Sequence, residues 1–222
     1  MIIVHHLNNS RSQRVLWLLE ELGIPYEIRH YRRNPQTLLA PPELTQVHPL
    51  GKSPVITDGD ITVAETGAII EYLLDTYGNG RLRPARGSAS ARQFTYWLHY
   101  AEGSIMPLMV MTLVFRRIET APLPFFVKPI AKGIVAKVRQ TYLNPNTAKH
   151  VDFMEAEIAK TGWFAGEEFS AADIQMSFPI EAAQARGALQ GRPHLTGFLE
   201  RIHSRPAYLR ALEQGGPFEL LD

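Results

Sequence analysis

The stretch Gly51-Lys52-Ser53-Pro54-Val55-Ile56 is followed nine residues later by Glu65-Thr66-Gly67-Ala68-Ile69-Ile70. Proline has no N–H and cannot serve as an ordinary central-strand residue, so Pro54 belongs at a strand entrance. A proline there is often cis. The peptide before it can present its own N–H and C=O to an extended, peptide-like ligand. Thr66 opens an apolar-periodic run, and a hydroxyl with backbone amides at a helix N-terminus holds a carboxylate. Together the two groups suit a small peptide with a free acid group. The competing reading is a plain hairpin followed by a capped helix.

Composition removes several other chemistries. Of 222 residues, 45% are hydrophobic and 20% charged, as in ordinary globular proteins. The 23 basic and 22 acidic residues leave a net charge of +1, which gives no electrostatic case for nucleic acid or an anionic membrane. There is no cysteine, so disulfides, thiolate metal sites and a protein thiol nucleophile are excluded. Any sulfur must come with the ligand. The eight histidines show no metal spacing, and no metal is expected. Gly78-Asn79-Gly80 lacks the third glycine of a dinucleotide fingerprint, and neither a P-loop nor a GxSxG elbow is present. Arg116-Arg117 reads as a helix end. The N-terminus turns polar too early for a signal peptide, and Ile105 to Phe115 is too short to span a bilayer, so a cytoplasmic protein is expected.

The elements that must position these residues follow from periodicity. Ile2-Ile3-Val4 is a buried strand and Asn8-Asn9-Ser10 a turn. Arg14 to Gly23 is a helix with Val15, Leu16, Leu18, Leu19 and Leu22 on one face. Gly23 and Pro25 stop it, and Tyr26 to Tyr31 alternates as a second strand. Val55-Ile56-Thr57 and Ile61-Thr62-Val63 flank Asp58-Gly59-Asp60 as a hairpin, and Thr66 to Tyr77 is a closing helix. The first domain, residues 1–78, is therefore βαβ-ββα. Residues 79–88 have linker composition. Residues 89–222 read as all helical, with a kink at Pro107 and a break or bend at Asn144-Pro145.

Four segments in this order resemble the cytosolic glutathione S-transferase superfamily. They are Ser10-Arg11-Ser12-Gln13-Arg14-Val15, His48-Pro49-Leu50-Gly51-Lys52-Ser53-Pro54-Val55, Glu65-Thr66, and Phe169-Ser170-Ala171-Ala172-Asp173-Ile174. The opening resembles the serine-type, theta-like bacterial and fungal branch, since the first turn has no tyrosine. The resemblance implies an α/β thioredoxin-like N-terminal domain with a mixed four-stranded sheet, followed by an all-α C-terminal helical bundle. It also implies a detoxifying homodimer with glutathione as co-substrate. The activity implied is attack of the glutathione thiol on small apolar electrophiles, with peroxidase activity within the same chemistry. A glutathione-dependent disulfide reductase and a non-catalytic binding protein on the same fold are the alternatives.

The resemblance also assigns residues. A free thiol has a pKa of about 8.5, and lowering it by ~2 units takes ~2.7 kcal/mol of preferential anion stabilisation. One charge-assisted hydrogen bond supplies ~1.5–3 kcal/mol and a helix N-terminus ~0.3–1 kcal/mol, so no general base is required. Ser10 is the favoured donor to sulfur, with the Asn9 amide as its rival. Ser10 or Ser12 as a mere helix cap is the alternative. Ser53 and Pro54 would align the cysteinyl part of glutathione, Lys52 its glycyl carboxylate, Thr66 the γ-glutamyl carboxylate and Glu65 the α-ammonium group. Ser170 and Asp173 read as a structural capping box. Leu7, Tyr100, Met106, Met109 and Phe115 are candidates for the electrophile pocket, with ordinary core packing as the alternative for each.

Overall fold

The computed structural model describes residues 1–37, 39–216 and 218; the last residues of the expected helical domain, 219–222, lie outside it. Four strands form one sheet in the order β2-β1-β3-β4: β1 (Ile2–Leu7), β2 (Tyr26–Tyr31), β3 (Val55–Asp58) and β4 (Ile61–Ala64). β1 runs parallel to β2 and antiparallel to β3, and β3 and β4 form the hairpin, so the sheet is mixed. Helix α1 (Ser12–Leu22) starts two residues earlier than its apolar face suggests, and Gly23 ends it at φ 62°. A left-handed C′ residue is sterically open to glycine, which is why the helix stops there. Helix α2 (Thr66–Tyr77) packs beside α1, and their apolar faces, Leu16, Leu18, Leu19, Ile69, Ile70 and Leu73 among them, are wholly buried.

The remaining helices are α3 (Ala89–Tyr100), α4 (Met106–Thr120), α5 (Lys128–Val138), α6 (Asn144–Thr161), α7 (Ala171–Ala185), α8 (Pro193–His203) and α9 (Pro206–Gly215). The two internal prolines are absorbed in the same way. π-turns at Ala101–Ile105 and Arg139–Leu143 join α3 to α4 and α5 to α6. In each, the N–H before the proline reaches back five residues, from Met106 to Ala101 and from Asn144 to Arg139. Proline clashes with the carbonyl four residues earlier, and the wider turn removes that clash without ending the helix. The kink at Pro107 and the bend at Pro145 thus take the form of continuous helices with one widened turn. The helix from Ala89 to Thr120 is long and apolar enough to cross a membrane by length and composition. Its Phe94, Trp97, Ile105 and Met109 are buried in the bundle, while Val110, Val114 and Ile118 are exposed.

α7 is the central helix of the bundle and is buried from Ala171 to Ala183. Its start is a complete capping box. Ser170 Oγ accepts from the Ala172 N–H, and the Asp173 carboxylate accepts from the N–H groups of Ser170 and Phe164, both at 2.8 Å. α9 returns to the sheet domain and packs along α1.

Candidate active site

The register of the sheet gathers the sequence-predicted residues at one end. His5 of β1 faces Val55 of β3, and Val55 faces Ala64 of β4. Ser53, Pro54, Glu65 and Thr66 therefore stand beside the end of β1 and the turn that follows it. Ser53 Oγ donates to the His5 carbonyl at 2.9 Å, and the Ser53–Pro54 peptide is cis. Glu65 has φ 70° and Asn9 has φ 51°. A non-glycine residue in the left-handed region costs about 1–2 kcal/mol and concentrates at functional turns, with asparagine the most tolerant. Lys52 and Glu65 are exposed, while Thr66 is buried at the first position of α2.

The turn between β1 and α1 separates the two candidate donors. Ser10 is 3% exposed and faces inward. Its Oγ lies 2.7 Å from Ser12 Oγ and accepts from the Ser12 N–H at 3.2 Å. Ser12 Oγ in turn lies 2.9 Å from His6 Nδ1. Burial, with His30 nearby, lowers the His6 pKa to about 4 against a hydrogen bond to the Gly215 backbone that raises it. His6 is thus neutral at pH 7, with one donating and one accepting nitrogen. Ser12 Oγ also lies 3.4 Å from the Leu7 carbonyl, so the Ser10 hydroxyl is tied into a chain of hydrogen bonds on the inward side of the turn. Asn9 differs: it is half-buried and lines a cavity of about 250 Å³ between the sheet domain and helices α4 and α7.

Of the residues expected in the electrophile pocket, Met106 and Met109 line this cavity. Leu7, Tyr100 and Phe115 do not. Leu7 is buried in a separate cluster with Tyr31 and Leu44. Tyr100 is buried among Tyr96, Trp97 and Phe153, with its hydroxyl on His150 Nδ1 at 2.5 Å. Phe115 is half-buried farther along α4. Apolar character alone could not separate cavity wall from core here, because both use the same residue types. Arg117 is not only a helix end: it too lines the cavity. A larger open cleft of about 850 Å³ lies between the linker and the loop before α7, away from all of these residues.

A charged network that the sequence does not disclose braces the site from below. Arg14 is 2% exposed. Its Nη1 donates to the Gln175 carbonyl and its Nη2 to Glu102 Oε1, both at 2.5 Å, and Nη2 also reaches Thr66 Oγ1 at 3.4 Å. Arg11 Nε forms an ion pair with the other Glu102 oxygen at 3.0 Å, without hydrogen-bond alignment. Burial alone would raise the Glu102 pKa, but the Arg14 and Arg11 guanidiniums outweigh it and hold the carboxyl below its usual range. The chain of contacts runs from Thr66 through Arg14 and Glu102 to Arg11 and the cavity, and both arginines lie 5.3 Å over the Phe178 ring. The π-turn that precedes Pro107 supplies Glu102.

A mixed four-stranded sheet with this cis-proline turn, joined to a helical bundle by a cavity, defines a thioredoxin-like transferase architecture. Residues 10–76 match the family model for the glutathione S-transferase N-terminal domain, and residues 114–206 match that for its C-terminal domain. The chain is 38% identical to "Glutathione S-transferase 3" of Schizosaccharomyces pombe, covering 96% of this chain and 88% of that one. It is 33% identical to "Glutathione S-transferase 1" of Saccharomyces cerevisiae, covering 96% and 95%. A solved glutathione S-transferase from Actinobacillus pleuropneumoniae superimposes with a TM-score of 0.83 at 34% identity, covering 99% of this chain and 95% of that one. The chain belongs to the glutathione S-transferase family, and its activity is that class of thiol transfer.

Proposed function

We propose that the Asn9 side-chain amide donates a hydrogen bond to the glutathione sulfur and holds it as thiolate for attack on an electrophile seated against Met106 and Met109. One observation carries this reading: of the two candidate donors, Asn9 lines the cavity while the Ser10 hydroxyl is bonded into the interior. A solved sphingomonad relative was crystallised with glutathione, which supports the tripeptide as ligand. Ser53 and Pro54 align its cysteinyl part, Lys52 meets its glycyl carboxylate, Thr66 binds the γ-glutamyl carboxylate and Glu65 the ammonium group. This assignment is supported by their convergence at the end of β1. Arg14 donates to Thr66 Oγ1, which leaves the Thr66 proton for the ligand.

The step balances simply. The sulfur lone pair forms a bond to the electrophilic carbon, the leaving group departs with its electron pair, and the thiol proton goes to solvent. The cytoplasmic, homodimeric and detoxifying role implied by the family completes the reading, and sedimentation of the purified protein tests the dimer. The donor is tested by conjugation of a chlorodinitrobenzene together with thiolate absorbance of the bound glutathione. Asn9→Ala should lower kcat/KM about 10- to 100-fold and raise the bound thiol pKa, matching a lost ~1.5–3 kcal/mol bond. Ser10→Ala should leave that pKa in place. The reverse pattern would return the role to Ser10.

A further inference from the structure

The loop between α4 and α5 carries an aromatic pair that neither the core nor the cavity uses. Phe125 is 85% exposed and Phe126 65%, and their rings meet edge to face at 5.5 Å. Neither lines the cavity beside Asn9. Leu123 and Val127, on either side of the pair, are half-buried and tie the loop down. The apolar surface continues into α5, where Val135 is the one buried residue. Phe126, Ile130 and Ile134 follow at intervals of four, and all three are exposed. Soluble proteins seldom leave such a stripe uncovered unless it docks on something. The charge around it is one-sided. From Arg116 to Arg139 there are six basic residues and one acidic residue, Glu119. Glu119 is engaged by Arg139 in a 2.7 Å ion pair. The net charge of +1 over the whole chain conceals this local excess. We propose that the tip formed by Phe125, Phe126 and the start of α5 docks on an anionic lipid bilayer.

Charge decides between the occupants such a tip could have. A second copy of this chain would meet it through the same patch about a two-fold axis, which sets the basic residues against their own copies. An apolar protein partner or ligand would leave Lys128, Lys132 and Lys137, all exposed, without a role. A bilayer with acidic lipids uses both features. The aromatic rings enter the boundary between headgroups and acyl chains, and the lysine stems reach along the surface to the headgroups. Each basic residue close to an anionic membrane strengthens binding about fivefold. The attachment is peripheral and reversible, since Phe94, Trp97 and Ile105 keep the preceding helix in the bundle. Val110 and Arg117 belong both to the exposed side of α4 and to the cavity wall, so α4 borders the docking face and the cavity together.

The test is flotation of the full-length protein with vesicles of phosphatidylcholine alone or mixed with phosphatidylserine. The unaltered protein should bind the mixed vesicles about a hundredfold more tightly, from three α5 lysines at about fivefold each. That preference should shrink as added salt screens the charges. Lys128→Gln/Lys132→Gln should weaken binding to the mixed vesicles about 25-fold. Phe125→Ser/Phe126→Ser should weaken it about tenfold or more, through the lost apolar burial. All four side chains are exposed, so both variants should unfold at the temperature of the unaltered protein. No vesicle binding, equal binding to the two kinds of vesicle, or unchanged binding by either variant overturns the proposal. So does loss of self-association by the phenylalanine variant in sedimentation, which would make the tip a subunit interface. None of these measurements uses the conjugation reaction, so their outcome is independent of the transferase reading.

Discussion

At the scale of single residues, the turn from Asn8 to Ser10 shows how one backbone conformation assigns chemistry. Asn9 takes the left-handed region and lines the cavity, while the Ser10 hydroxyl is hydrogen-bonded to Ser12, whose own hydroxyl meets His6. The two residue types are equally suited to meet a thiolate, so the sequence favours Ser10 on pattern alone and cannot orient either. Thr66 is the complementary case, since its place at the start of α2 is readable from the Glu-Thr pair before an apolar run. Thr66→Val keeps the shape and removes the hydroxyl. It should raise KM for glutathione about tenfold with kcat nearly unchanged, as expected for loss of a ground-state contact of ~1.4 kcal/mol. Steady-state kinetics at varied glutathione would show a kcat effect instead if Thr66 acted on the sulfur.

At the scale of elements, capping is local and therefore legible. The bounds of α2 match the sequence reading residue for residue, and α7 begins at the capping box that Ser170 and Asp173 mark in the sequence. The α7 box is also the strongest local stability feature. Ser170→Ala should cost about 1 kcal/mol in urea unfolding with kcat/KM for conjugation unchanged. A large loss of activity at constant stability would contradict the structural role given to it. The prolines at 107 and 145 are legible as disturbances, but not as π-turns. Whether a proline ends a helix or widens one turn depends on what the helix packs against on both sides, and that is tertiary information.

At the scale of the whole molecule, the sheet domain and the bundle are joined by charge as well as by apolar packing. Glu102→Gln leaves the buried Arg14 guanidinium without its acid. It should destabilise the protein by about 2–3 kcal/mol, discounted for the partial exposure of Glu102, as read by thermal or denaturant unfolding. A change within a few tenths of a kcal/mol would mean that the Gln175 carbonyl alone carries Arg14. The His6 chain predicts an acid sensitivity. The unfolded chain takes up this proton near pH 6.5 and the folded chain near pH 4. Between those values the unfolded state holds more protons, so stability falls as the pH drops from 6.5 to 4. Relative to His6→Gln, the unaltered protein should lose up to about 3 kcal/mol over that window. Asp173, buried and pushed up to about 6, has the opposite sign, and comparison against the His6 variant removes it. A difference between the two proteins that stays flat with pH would contradict a buried neutral His6.

What the amino-acid order determined by itself was whatever short-range chemistry decides. Strand and helix periods, the glycine that stops α1, the hairpin at Asp58-Gly59, the start of α2, the capping box of α7 and the proline before β3 all depend on neighbours within a few positions. The absence of cysteine likewise put the reacting sulfur on the ligand. Only the tertiary structure decided which of Asn9 and Ser10 faces the cavity and which apolar residues form its wall. It also decided that Arg11, Arg33, Arg117 and Arg186 share that wall. These four are spread over 175 positions of chain (186 − 11), and no local pattern links them. Charges that far apart acquire a common field only when the sheet and the bundle close on one another.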